Sequence, residues 1–168
     1  IITDRSNIEI DSESQSGVAY VFEQSDDAWS HQDTLYDSGA YVFGGSVSFS
    51  ADDTTVVVGA YASAYVFTQS DGSWSQDGEL ATGNGYPTTS VAVSADGSTA
   101  VVGHHVESGD KIDPSYVYTR SDGTWSQQAK LVPTADAAGE RSTEAVGMAD
   151  DGSSVVIGAR GQSDTWDS

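Results

Sequence analysis

Two short phrases alternate along this chain, and their recurrence constrains the fold more than any other feature. The first reads SVSFSADDTTVVVG at Ser46–Gly59, SVAVSADGSTAVVG at Ser90–Gly103 and EAVGMADDGSSVVIG at Glu144–Gly158. The second reads AYVFEQSDDAWS at Ala19–Ser30, AYVFTQSDGSWS at Ala64–Ser75 and SYVYTRSDGTWS at Ser115–Ser126. Trp29, Trp74 and Trp125 stand 45 and 51 residues apart, and Tyr20, Tyr65 and Tyr116 keep the same two intervals. Self-similarity at such a period marks a repeat architecture, in which a unit buries its apolar faces by stacking on its neighbours.

Each phrase reads as a β-hairpin. In the second, strand-forming Tyr, Val and Phe lead into the turns Ser25-Asp26-Asp27, Ser70-Asp71-Gly72 and Ser121-Asp122-Gly123, then into a polar strand opening near the Trp. Asp-Gly between two strand-like runs is a strong hairpin signal, because the turn needs positive φ. The first phrase turns at Ala51-Asp52-Asp53, Ala95-Asp96-Gly97 and Asp150-Asp151-Gly152. Its returning strands, Val56–Val58, Ala100–Val102 and Val155–Ile157, are continuously apolar. That pattern predicts burial on both faces. Each of these strands ends in Gly59, Gly103 or Gly158, where another backbone is expected to pass close by or the chain to turn sharply. The polar stretch DSESQSG, Asp11–Gly17, reads as a loop.

One unit therefore holds four strands: A (Ser90–Ser94), B (Ser98–Gly103), C (Ser115–Arg120) and D (Thr124–Leu131). No stretch sustains a helical period. Four-stranded units of this length predict an all-β protein, a β-propeller or partial propeller of antiparallel blades, with about three blades in this chain. The expected divisions are a partial blade at 1–35, blades at 36–80 and 81–131, and a partial blade at 132–168. Starting and ending mid-unit suggests further blades from a longer chain, or copies that complete a ring by self-assembly.

Composition narrows the partners. There are 26 acidic residues against 6 basic ones, a formal net charge of −20. Nucleic acid is excluded as a partner, since phosphates are held by Lys and Arg. No apolar run approaches the eighteen or so residues of a membrane span, so no membrane insertion is expected. Leu, Ile, Val and Phe make up about 18 % of the chain, which with this charge would suit a disordered segment. Their concentration in regular β-branched runs argues for a fold instead. Scattered acid, little Lys and small side chains resemble the proteins of halophiles. Molar salt shrinks the range of charge repulsion to about 3 Å, so such a surface folds there.

The repeats resemble the FG-GAP family in its prokaryotic surface-protein form. The third unit carries the likeness best, in SYVYTRSDGTWSQQAKL (Ser115–Leu131), DAAGE (Asp136–Glu140) and ADDGSSVVIGARG (Ala149–Gly161). The FG element is literal at Phe43-Gly44, and degenerate at Tyr86-Pro87 and Ser142-Thr143. The GAP element survives as Gly59-Ala60-Tyr61, Gly103-His104-His105 and Gly158-Ala159-Arg160. The family is similar to the integrin α-chain propeller, which implies seven blades in a complete ring.

No catalytic constellation emerges, and no catalytic, cofactor-binding or metal residue is assigned. Integrin relatives place a calcium loop between FG and GAP. Here that place holds only Asp52-Asp53-Thr54-Thr55, Asp96-Gly97-Ser98-Thr99 and Asp151-Gly152-Ser153-Ser154, too few carboxylates to encircle the ion. The acids of Asp11–Gly17 and Glu107–Asp113 lack ligand spacing and suit at most weak cation binding. His104-His105 lies near Glu107 and Asp110, but adjacent residues on an extended chain face opposite ways. His31 sits in another unit, and no G-x-S-x-G elbow is present. The recurring Trp and Tyr suit either sugar stacking or equivalent packing positions, and exact recurrence favours packing; Trp166 lies outside the register.

The expected function is a non-catalytic extracellular or cell-surface interaction and adhesion module, part of a larger surface, filament or virus-fibre protein. Its partner would be protein or glycan, met through a loop rim at Tyr36–Gly45, His104–Ser115 and Val132–Thr143. The alternatives are the propeller domain of a carbohydrate-active or other secreted enzyme, or a purely structural filament or sheath subunit.

Overall fold

The computed structural model describes residues 1–10, 13–83, 87–104, 114–132 and 141–161, and these contain strands without helices. The strands are β1 (Ile2–Ile10), β2 (Glu13–Ser25), β3 (Ala28–Leu35), β4 (Ser46–Phe49), β5 (Thr55–Gly59), β6 (Ser63–Ser70) and β7 (Ser73–Ala81). They continue as β8 (Thr88–Val93), β9 (Thr99–His104), β10 (Ser115–Ser121), β11 (Thr124–Leu131), β12 (Arg141–Met148) and β13 (Val155–Gly161).

They form four antiparallel sheets, each a simple meander. Two are four-stranded, β4-β5-β6-β7 and β8-β9-β10-β11; β1-β2-β3 has three strands and β12-β13 two. Among the described residues no sheet closes on itself.

The turn chemistry follows the sequence. Asp71 and Gly72 both have positive φ, 52° and 78°, and Asp122 and Gly123 repeat this at 50° and 75°. Such backbones match the twist of the flanking strands. Asp26 and Asp27 adopt the same shape at 48° and 64°, although the second position lacks glycine there.

The loop expected at Asp11–Gly17 is corrected. Residues 13 onward belong to β2, whose backbone pairs Ser14 with Glu9, Gln15 with Ile8 and Ser16 with Asn7. The ladder is made by backbone groups, so a polar hairpin extension can carry it without apolar side chains.

Packing between sheets sets large side chains of one against small side chains of the sheet before. Tyr65 and Phe67 of β6 meet Ala19 and Val21 of β2. Tyr116 and Tyr118 of β10 meet Ala64, Val66 and Val57 of the second sheet. Strand β5 serves both layers: Val56 and Val58 face the first cluster and Val57 the second, all fully buried. Burial of each such valine is worth about 1.5–3 kcal/mol.

The last unit departs from expectation. Val155–Ile157 was expected to be buried on both faces, yet Val156 is 69 % exposed, whereas Val57 and Val101 at the matching positions are 0 % exposed. The sequence pattern is the same. What differs is that no further sheet follows on this face among the described residues.

Serine and glycine complete the seams. Ser46 and Ser48 of β4 accept hydrogen bonds through Oγ from the backbone N–H groups of Val91 and Val93, at 3.1 and 3.2 Å. Ser90 repeats the device for Val146 at 3.0 Å. These bonds satisfy donors on strands that would otherwise present an open edge. At Gly59 an added Cβ would sit 2.8 Å from Thr88, and at Gly103 2.7 Å from Thr143, so each glycine admits the following unit.

Candidate interaction rim

An antiparallel meander fixes which loops share an end. The A–B and C–D turns lie at one end of the sheets, and the B–C and D–A connections at the other. Loop Tyr36–Gly45, expected to be a contact segment, belongs to the second group and meets the B–C connection at residues 60–62.

This loop is pinned by its own backbone. Phe43 donates its N–H to Ser16 O at 2.8 Å, and Val42 donates to Ser16 Oγ at 3.1 Å. Gly44 and Gly45 both donate to Gly59 O at 3.0 Å. Phe43 is fully buried, with its ring 5.7 Å from Tyr65 and 6.0 Å from Phe67. Phe43 is thus an anchor between the first two sheets.

The anchor forces an unusual backbone beside it. Val42 has φ +56°, a left-handed conformation that costs a β-branched residue on the order of 1–3 kcal/mol. It turns the chain so that Tyr41 points outward, 65 % exposed. Tyr61, 40 % exposed, donates its N–H to Tyr41 O at 2.7 Å, and the two rings meet edge to face at 5.8 Å. A shallow cavity of about 250 Å³ lies nearby, lined by Val42, Gly45, Ala60, Pro87, Thr88 and Glu144. The rim therefore holds an exposed tyrosine pair held by a backbone hydrogen bond, with a small recess beside the neighbouring residues Val42 and Ala60. Aromatic residues with polar tips are the kind of amphipathic surface that binds at low entropic cost.

The other two expected contact loops are described only at their ends. Residues 105–113 and 133–140 lie outside the described residues, as do His105, Tyr86 and Trp166. His104 is fully buried, edge-on to Tyr116 at 5.7 Å, so it faces the interior. His31 lies by Thr34 Oγ1 at 3.0 Å and between Tyr20 and Phe22.

The turn carboxylates are occupied locally. Asp52 accepts from the Ser50 hydroxyl at 2.6 Å, and from Thr54 N and Oγ1 at 3.1 and 2.8 Å. Asp96 does the same with Ser94 Oγ at 2.7 Å and Ser98 N at 3.0 Å; Asp151 accepts from Ser153 N at 2.9 Å. The Ser50 hydroxyl, the Ser94 hydroxyl and Ser153 respectively are the main groups holding these carboxyls below their usual range. Each aspartate closes a hairpin turn with its oxygens. Among the described residues no three His, Asp or Glu side chains converge in a way that could hold a metal ion.

The tryptophans differ from one another despite their shared register. Trp125 Nε1 donates to Asp77 Oδ2 at 2.8 Å, and Asp77 Oδ1 pairs with Arg120 at 2.6 Å. Trp74 is partly buried and edge-on to Phe49 at 5.6 Å. Trp29 is 67 % exposed. Packing explains the first two and leaves the third in solvent. Sequence reasoning missed the tyrosine pair and the Ser46–Ser48–Ser90 stitches; the repeated Ser-Val of the first phrase was the available signal for the stitches. Compared with models of known protein families and with curated proteins, the chain matches none.

Proposed function

We propose that the chain is a non-catalytic interaction module of the cell surface or extracellular space, built of propeller blades of the FG-GAP type. The tyrosine pair Tyr41–Tyr61 carries this reading: two exposed aromatic rings fixed by backbone hydrogen bonds over a buried anchor. Rigid aromatic residues with polar tips favour protein or glycan partners. Further support comes from the carboxylates of the repeated turns, whose lone pairs serve the fold. A surface with net charge −20 suits a halophile's environment.

The blades belong to a larger ring. The exposed Val156 face supports this, because its equivalents Val57 and Val101 are fully buried in sheets that are each followed by another. Such a ring would be part of a larger surface, filament or fibre protein.

The test is binding to an array of extracellular proteins and surface glycans, comparing the native chain with Tyr41→Ala/Tyr61→Ala. Loss of a captured partner by tenfold or more, with unchanged melting, supports the rim. Capture that ignores the double substitution, or no capture at all, overturns it.

A further inference from the structure

At the opposite end of the sheets the repeats form two equivalent seams, and the two differ in one respect. Between the second and third sheets, the seam is clasped: Trp125 and Arg120 both bind Asp77, the extra residue of a β-bulge in β7. The bulge turns its side chain toward the next sheet. Gly78 beside it leaves room for the indole, since an added Cβ would lie 2.9 Å from Trp125 Cδ1.

Between the first and second sheets every part of that clasp except the tryptophan is replaced. The register places Gln32, the bulge residue of β3, where Asp77 stands, Asp33 where Gly78 stands and Gln69 where Arg120 stands. Gln32 spends its amide N–H on Ser30 Oγ at 3.0 Å. The Trp74 Nε1 is left buried without an acceptor. Here the seam opens into a cavity of about 460 Å³, whose lining includes Trp29, Phe49, Trp74, Gln32, Gln69 and Glu23. That volume falls within the roughly 300–1,000 Å³ of small-molecule sites.

We propose that this cleft is a saccharide site for neutral sugars, separate from the rim and independent of it. A pyranose presents an apolar C–H face that packs on indole and phenyl rings, and hydroxyls that exchange hydrogen bonds with amides and carboxylates. Phe49, Trp74 and Trp29 supply the first, and Gln32, Gln69 and Glu23 the second. Glu23 and Asp53 in the cleft lining disfavour sialylated and uronic sugars by close-range repulsion.

The test is an NMR titration of the 168-residue chain with lactose, maltose, cellobiose and chitobiose, and with sialyllactose and digalacturonate as acidic counterparts. The Trp74 indole N–H signal is expected to shift with a neutral disaccharide and to stay still with the acidic ones. Gln32→Asp/Asp33→Gly/Gln69→Arg installs the clasp of the neighbouring seam and is expected to lower affinity at least tenfold while keeping the fold. Gln69→Ala, an exposed change, is expected to lower it severalfold. Tyr41→Ala leaves this binding intact, so failure of the rim and failure of the cleft are told apart. No shift with any neutral sugar, or affinity unchanged in both Gln69 variants, overturns the proposal.

Discussion

Asp77 Oδ2 accepts the Trp125 indole N–H at 2.8 Å, joining the outer strands of two successive sheets through a single carboxylate that also holds Arg120. The bond is shielded, with the Asp77 side chain 14 % exposed, while Arg120 at 35 % is partly screened by solvent. Asp77→Ala is expected to cost about 1–3 kcal/mol, chiefly from the indole N–H left without its acceptor. Asp77→Asn keeps an acceptor and should cost less than half of that. Equal losses in denaturant titrations of the two variants would show that the indole bond is not what closes the seam.

The first C–D turn lacks the glycine that the other two carry. Asp27 sits at φ +64°, where Gly72 and Gly123 sit at +78° and +75°. Asp27→Gly is expected to raise stability by roughly 1 kcal/mol, and Gly72→Ala to lower it by a similar amount. Thermal unfolding of the two variants checks both signs.

Alkaline pH should destabilise the stack through two buried phenols. Burial, with help from Glu79 and Asp37, pushes Tyr65 up to about 12; burial, then Tyr116, pushes Tyr118 up to about 12. Both folded values lie above the ordinary 10 of the unfolded chain. Their contribution is therefore complete below about pH 10 and is lost as pH rises from 10 toward 12. Tyr118→Phe, which gives up the bond from its hydroxyl to Ala81 O at 2.7 Å, should flatten that loss. A stability profile from pH 9 to 12 that is identical in the variant would contradict this assignment.

Salt should act in the stabilising direction. A net charge of −20 repels itself in the folded state, and screening relieves that cost. The melting temperature is expected to climb from 0.1 M to about 3 M KCl, by about 2–4 °C for each kcal/mol recovered. A melting temperature that stays level or falls over this range would mean that the acidic surface is not a salt adaptation.

The strands were legible in the sequence because each carries its own signal. Asp-Gly turns, β-branched runs and a returning Tyr-Val-Phe placed β4, β5 and β8 to β11 within one or two residues. Two things escaped. The polar start of β2 looks like a loop, since backbone pairing leaves no trace in side-chain polarity. The exposure of Val156 is equally invisible, because the letters of Val155–Ile157 are those of a buried strand and only the missing neighbour changes their surroundings. Tyr36–Gly45 was legible as a loop between strands. Its chemistry was not, because an outward Tyr41 depends on the strained Val42 and the buried Phe43, which no periodicity encodes.

Thiol labelling at Val156 tests the central claim, that these sheets are blades of a larger ring, most directly. The chain has no cysteine, so Val57→Cys, Val101→Cys and Val156→Cys can be read one at a time. The three positions are equivalent in the repeat, with exposures of 0 %, 0 % and 69 %. In the isolated 168 residues, only the thiol at 156 should react quickly with a maleimide. In the natural assembled protein, the account predicts that position 156 becomes as protected as 57 and 101, because another sheet covers it. Fast labelling at 156 in that assembly would contradict the ring and leave an open, four-sheet array.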